Sequence, residues 1–530
     1  MTTLTFPVGF NSTGNYNPLT TYNKRDLVFS GGNQYECTQD GTIGILPTNT
    51  ANWQIFAKGN YNEVNAGTEA PRSNARVKTL FTNHGQLGAC SLMEGGTLMK
   101  RGYGGNYNIG DGNEVNVAYA KVAVPYSFIN ETIKQVVGSQ ESNYILTESG
   151  KVYFWGRNNT GQGGQGNTIT VFNPKLITYF QTNGITISEI IVSNGVDNIF
   201  GGNFENWIGV TVYFLSTTGN LYGCGYNAYG QLANGNTTQQ NTPIPIEPTK
   251  TFTKIYATAN VYTSLYAIDT DGVLWVAGIN NNGNLGLGDV TARTNLTQVT
   301  LPEPINQLVS STGKFESAGN TIGSFTIVRG ISGKLYSSGF NGSGQLCSGT
   351  FTQRLSFAEI TTLGTDNASI FIGNDGYYGN AGVIKNDGTV KIWGYNGVAQ
   401  LGNGNTTDSS APLTITFPEA TSTAVKVVCA GTRQTTTFLF LFADGKMYTT
   451  GYSGNGQRGV ANTAGNNNAT QVLLDKNIVD IASYGFSAQS GFVAKTDDGT
   501  EYVWGYTSSY YISGQLLSIA PIPAPMIVMY

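Results

Sequence analysis

The side chains best suited to chemistry in this chain are aromatic rings and amides gathered in a few long segments, and the chemistry they offer is recognition. Residues 196–209 (VDNIFGGNFENWIG) carry Phe200, Phe204 and Trp207, residues 312–324 carry Phe315, and residues 373–380 carry Tyr377 and Tyr378. A flat ring can stack on the apolar face of a sugar or fill a pocket on a protein, and only two rotatable bonds are fixed when it does so. Asn and Gln in these loops and in the repeated Gly-Asn-Gln loops of the same face are expected to offer paired donors and acceptors to hydroxyl groups.

Catalytic residue types are sparse. His84 is the only histidine, so no histidine triad recurs and no multi-histidine metal site can form. The carboxylate pairs Asp269/Asp271 and Asp497/Asp498 stand at turn-like positions, where aspartate serves backbone conformation. The five cysteines, Cys37, Cys90, Cys224, Cys347 and Cys429, are scattered singly rather than in metal or redox spacing. The expectation is a binding protein, not an enzyme, with no metal and no cofactor.

What must position the rings is a repeat. Glycines six residues apart bracket a short apolar strand at Gly96/Gly102, Gly150/Gly156, Gly219/Gly225, Gly272/Gly278, Gly333/Gly339, Gly388/Gly394, Gly445/Gly451 and Gly499/Gly505. A period of about 50–70 residues is that of propeller-type arrays. Copy two divides into IKQVV, NYILTES, KVYFWG and PKLIT, four strands beginning at Ile133. Asp-Gly between the second and third strands reads as a tight hairpin in which both central residues take positive φ. Two positions after the turn glycine stand Leu98, Val152, Leu221, Leu274, Leu335, Val390 and Met447, with Glu501 the exception. The next residue is mostly aromatic, and consecutive apolar residues imply a strand covered on both faces, as in a stack of blades. The fold class expected is all-β, a β-propeller of eight four-stranded blades, with seven still open if a terminal copy completes another blade.

The segments WGRNNTGQGGQGN from Trp155, GYNAYGQLANGN from Gly225, GINNNGNLGLGD from Gly278, GFNGSGQLCSG from Gly339 and GYNGVAQLGNGN from Gly394 resemble the regulator of chromosome condensation repeat. The resemblance spans roughly residues 77–530 and implies a β-propeller, in a family known mostly with seven blades. Copies one, seven and eight lack the asparagine: Gly102-Tyr-Gly104, Gly451-Tyr-Ser453 and Gly505-Tyr-Thr507. His84 matches a framework histidine of that family. A sialidase-type propeller is excluded because Thr270 stands where its Asp box needs aspartate. Alternating strand direction puts the loop joining strands one and two on the same face as the long loop after strand three, and the Asp-Gly turns on the other. A second aromatic set, Tyr103, Tyr226, Phe340, Tyr395, Tyr452 and Tyr506, follows the strand-end glycine in register and reads as blade-to-blade packing.

Residues 1–60 read as a separate small β module, 61–76 as a linker and 77–530 as the propeller. Within 16–59 three short strands are expected. Tyr22, Asp26, Val28, Tyr35, Pro47 and Trp53 fall in an order that resembles chitin-binding-type carbohydrate modules and the related modules of bacteriophage tail fibres, with Arg25 where a glycine is usual. Tyr22, Tyr35 and Trp53 could bind a glycan or make the core that so small a domain needs.

Only 11% of residues are charged, against about 25% in typical soluble domains. The net charge of −4 leaves no basic footprint for nucleic acid. The start, MTTLTFPVGFNSTG, carries no basic, apolar leader, and the longest apolar run, 438–443, is too short to span a bilayer. Together with the tail-fibre-like module, these features lead to the expectation of a bacteriophage tail fibre or tail-tip protein located in the virion and assembled in the host cytoplasm. Its expected partners are other tail or baseplate proteins and a bacterial surface glycan or outer-surface receptor, without nucleic acid or membrane insertion and with room for a homo-oligomer. The alternative is a protein-binding propeller acting as an exchange factor or inhibitor.

Overall fold

The computed structural model of the chain describes residues 131–505 apart from 140–141, 194–208, 259–262, 312–313, 318–319, 374–377, 432–434, 461–466, 475 and 487–488. Outside that span it describes 11–15, 26–30, 33–37, 53–57, 77–81, 90–94, 96–102, 110, 117–121 and 522–527. The chain divides into two compact units, Met1–Ser73 and Asn74–Met529.

In the first unit the strands Asn11–Asn15, Asp26–Ser30, Asn33–Cys37 and Trp53–Ala57 form one sheet in chain order. The last three lie where three short strands are expected and pair antiparallel; Asn11–Asn15 adds a fourth, parallel to its neighbour.

The second unit is a propeller of eight four-stranded blades, each sheet ordered as the chain runs. Blade three is typical, with strands Ile187–Val192, Thr211–Ser216, Leu221–Gly225 and Gln240–Ile246. The first strand of every blade contacts the first strand of the next, so these eight strands are innermost. Each carries a bulge just after its first residue, which tightens the twist where blades converge. Blades one and eight are each built from consecutive strands, which resolves the count at eight without strands shared between the ends. Their seam repeats a backbone bond found between other blades: Val77 N donates to Gly499 O at 2.9 Å as Phe252 N does to Gly219 O at 2.8 Å.

Hydrophobic clusters straddle neighbouring blades. Tyr213, Leu215 and Leu221 of blade three pack with Phe252, Ile255, Leu265 and Ala267 of blade four. Each fully buried side chain of this size contributes about 1.5–3 kcal/mol. The third strand is buried along its whole length in blades two, three, five, seven and eight, polar members such as Ser337, Thr449 and Glu501 included, because a blade covers each of its faces. Its indoles also tie blades together: Trp393 Nε1 donates to Gln345 O at 2.8 Å and Trp504 Nε1 to Gln457 O at 3.0 Å.

The hairpin between the second and third strands differs from the expected geometry. Asp387, Asp444 and Asp498 do not take positive φ; only the glycine does. The turn is a three-residue loop with a left-handed glycine, which fits the strand twist equally well. The aspartate instead caps it: Asp387 Oδ1 accepts from Thr389 N at 2.8 Å, and Asp498 Oδ1 from Thr500 N at 3.0 Å. Blade three explains the six-residue glycine spacing. Gly219 turns the hairpin at φ +83°, and Gly225 at φ +100° presses on Val210 O, which would lie 2.2 Å from any Cβ.

Candidate recognition face

The repeated Gly-x-Asn and Gly-Gln-Leu residues form the loop after strand three, and their amides are consumed in building it. Asn227 Nδ2 donates to Asn236 O at 3.0 Å and Thr238 O at 3.1 Å, while its Oδ1 accepts from Leu232 N at 2.8 Å. Gln231 Oε1 accepts from Tyr229 N at 2.9 Å. Asn341 and Asn396 repeat the pattern on residues nine, eleven and five positions ahead. These amides are fully buried. The expectation that they would bind ligand hydroxyls is therefore corrected: an amide that closes a loop has no group left to offer.

The same loops staple blades together. Gly235 N donates to Thr294 O, Gly288 N to Leu355 O, Gly349 N to Ser410 O and Gly404 N to Asn467 O, each reaching the next blade at 2.8–3.1 Å. The signature is a folding device that joins each blade to its successor.

What the loops present is a row of aromatic rings. Tyr226, Phe340, Tyr395 and Tyr452 occupy the residue after the strand-end glycine and are half-buried. Their backbone N–H groups donate to Val210 O, Ser324 O, Gly379 O and Thr436 O, just before the second strand of the same blade. Sequence reasoning assigned this set to blade-to-blade packing; the rings instead lie over glycines of their own blade. A Cβ on Gly342 would meet the Phe340 ring at 2.5 Å, and one on Gly397 or Gly454 would meet the hydroxyl of Tyr395 or Tyr452 at 2.0 or 2.1 Å. Tyr226 lies on Gly209 in the same way. An aromatic two residues before a glycine, repeated in register, is the signal that would have marked Phe340, Tyr395 and Tyr452 as a presented surface; Tyr226, with Ala228 two residues on, lacks it.

Neighbouring rings extend the row. Tyr378 packs on Tyr395 with centroids 4.8 Å apart and planes at 58°, and Tyr229 meets Tyr226 edge-on at 6.3 Å. Burial, with Tyr229 second, pushes the Tyr226 hydroxyl up to about 12, so it stays a neutral hydrogen-bonding group at ordinary pH. Blades two and four place Arg157 and buried Ile279 at this position.

Of the nine aromatic residues expected from sequence to bind a ligand, Tyr378 is the one whose side chain is described, and it joins the row. Phe200, Phe204, Trp207, Tyr377 and Tyr22 lie outside the described residues, as do His84, Tyr103 and Tyr506. Phe315 is in Lys314–Ser317, paired with Asn320–Ile322 as a hairpin; Tyr35 and Trp53 are in Asn33–Cys37 and Trp53–Ala57. The Asp269 carboxylate is occupied by Asp271 N, Val273 N and Trp275 Nε1 at 2.8–3.0 Å. Cys224 and Cys347 are buried thiols, the latter pushed up to about 12. Among the described residues no group of three or more His, Cys, Asp or Glu is placed to hold a metal ion, and no helix is long and apolar enough to cross a membrane.

Comparison with known proteins agrees with the architecture. Residues 149–193, 218–260 and 387–436 match the regulator of chromosome condensation (RCC1) repeat. The ultraviolet-B receptor UVR8 of Arabidopsis thaliana is 26% identical over 394 residues, covering 74% of this chain and 80% of the receptor. The mitochondrial RCC1 domain-containing protein RUG3 of the same plant is 23% identical, covering 69% of this chain and 64% of that protein. The human X-linked retinitis pigmentosa GTPase regulator is 25% identical over 34% of this chain, which spans only 16% of that protein. Among solved structures, yeast Prp20p superposes with a TM-score of 0.51 at 16% identity, covering 73% of this chain and 87% of Prp20p. Human WBSCR16 also superposes with a TM-score of 0.51, at 15% identity and covering 73% of this chain and 91% of that one. The RCC1 repeats and the RCC1-like propeller are thereby shown. The tail-fibre expectation is corrected by the same findings: the relatives are plant and animal proteins, so the virion location, the tail and baseplate partners and the bacterial surface receptor all fall.

Proposed function

We propose that this chain is a protein-binding propeller that works by docking to a partner rather than by covalent chemistry, with the aromatic row on the loop face as its contact surface. One observation carries the reading. Tyr226, Phe340, Tyr395 and Tyr452 are held half-exposed at one structural position, on glycine seats, with Tyr229 and Tyr378 beside them. Rigid, partly exposed aromatics have the composition of interface anchors, where a few such side chains carry most of the binding energy. The scaffold adds preorganisation, because the loops are stapled to the next blade and little ordering remains to be lost on binding.

An exchange factor acting on a small GTPase is the form of this activity that the relatives favour, one of them being named a GTPase regulator. It is tested by adding the purified chain to a panel of small GTPases loaded with fluorescent GDP. Accelerated release from at least one, abolished by Tyr378→Ser/Tyr395→Ser at unchanged Tm, is the expected outcome. Release at the spontaneous rate throughout the panel rejects the exchange-factor form. The first unit is proposed to be a small module of the chitin-binding type, on the order of Tyr22, Asp26, Val28, Tyr35, Pro47 and Trp53 alone.

A further inference from the structure

The opposite mouth of the propeller, where the inner strands begin, has a charge the composition does not suggest. The inner strand of each blade starts beside the hairpin glycine of the blade before it, as Ile187 N donating to Gly150 O at 3.1 Å illustrates. These starts therefore lie on the turn face. The chain carries −4 overall, yet six cations converge here: Lys78 and Lys134 at the bulge positions, Lys254 and Lys426 one residue further, and Lys495 and Arg329 reaching in from second strands.

The bulges account for how the cations are held. A bulge leaves a carbonyl out of the ladder, and a side chain from the preceding blade caps it. Lys134 Nζ donates to Ser188 O at 2.8 Å, Lys254 Nζ to Asn306 O at 2.5 Å and Lys495 Nζ to Lys78 O at 2.5 Å. Arg329 donates through Nε to Asn367 O and through Nη1 to Asn306 Oδ1 at 2.9 Å. Each ammonium has three protons, so one capping bond orients it and leaves donors unused. Lys78, Lys134 and Lys254 are exposed.

The eight inner strands themselves carry four lysines against two carboxylates. Asp480 pairs with Lys426 at 2.6 Å, and Glu189 lies in the field of Lys134 and Lys254. Glu131, Glu303 and Asp366, just ahead of their inner strands, are drawn to the turns by Lys151, by Ser332 and Tyr336, and by Lys385. Low-dielectric walls around a propeller's central channel focus the field of charges at its mouth.

We propose that the turn-face mouth of the channel is a binding site for a compact polyanion of the oligophosphate class, held by Lys134 and Lys254 with Lys78 and Lys495 around them. A ring of radially arranged donors suits an anion with charge on several sides better than an extended chain. The site is on the face opposite the aromatic row and does not depend on the proposed docking activity.

The test is titration calorimetry of the full chain with inorganic tripolyphosphate at low and physiological salt. Saturable binding of one anion per chain is expected, weakening as salt rises. Lys134→Gln/Lys254→Gln should lower affinity at least tenfold, while Lys391→Gln, on the third strand of blade six, should leave it unchanged. Glu189→Gln should tighten binding severalfold, an increase that no loss of folding can imitate. Absence of saturable binding at millimolar anion, indifference to the paired lysine changes, or binding of polyglutamate but not tripolyphosphate would each overturn the proposal.

Discussion

Blades three to six and the arc formed by blades seven, eight and one follow one plan with different interiors. In the first group the residue after the loop glutamine or its asparagine equivalent is leucine, and Leu232, Leu285, Leu346 and Leu401 are wholly buried. Blade seven puts Arg458 there, 1% exposed, with Nη2 donating to Asn468 O at 2.8 Å and Thr470 Oγ1 at 2.5 Å. Blade eight replaces the apolar residue two after the turn glycine with Glu501, also 1% exposed, accepting from Ser91 Oγ of blade one at 2.7 Å. Blade one buries Lys100 against Asn143 and the Trp155 ring of blade two. Three consecutive blades around the closure thus each hold a buried ionisable group where the regular copies are mostly apolar or small. The repeat consensus suffices to stack neighbours, and the arc that joins the two ends of the ring departs from it with residue-specific polar contacts.

The sharpest way to break this comparison is to exchange the two kinds of interior. Leu346→Arg should lower stability by about 3–5 kcal/mol, since blade five has no partner set evolved for a buried guanidinium. Arg458→Leu should change it by only about 1 kcal/mol in either direction. Denaturant midpoints check both, and equal losses would mean that the arcs do not differ.

Lys100 gives the next largest effect through pH. Burial lowers its pKa from 10.5 to about 7, so between those values the unfolded chain holds a proton that the folded chain lacks. Stability should therefore climb as pH rises from about 7 to about 10.5, by several kcal/mol at most. Lys100→Met should flatten that slope, read from Tm across the window; an unchanged slope would show that Lys100 stays charged when buried.

Asn396→Ala should cost about 1–3 kcal/mol, because Leu401 N, Asn405 O and Thr407 O lose their partner inside the loop. It should leave docking intact in the fraction that folds, as an equilibrium binding measurement corrected for active protein would report.

The glycine spacing made the propeller legible, because the bracketing positions take a positive φ that other residues rarely adopt and most of them also press on neighbouring atoms. Blade number was legible from the complete strand sets, but the mode of closure was not, since Glu501 looks like an error in the pattern until Ser91 is beside it. The hairpin type was misread because Asp-Gly also suits a loop in which aspartate caps rather than bends. At the candidate site, repetition misled. The amides looked like ligands because loops usually carry function, and the Tyr226, Phe340, Tyr395 and Tyr452 register looked like packing because packing usually repeats. Both inferences invert once the loop's internal hydrogen bonds and its glycine seats are seen.

The central claim is that the loop face, and not the turn face, meets a protein partner. A photo-crosslinking benzophenone at Phe340 or Tyr378, compared with one at Asp271 on the turn face, tests it in the organism that makes the protein. A discrete partner adduct from the loop-face positions and none from residue 271 is the expected result. An adduct at 271 alone, or equal adducts at all three positions, would contradict it.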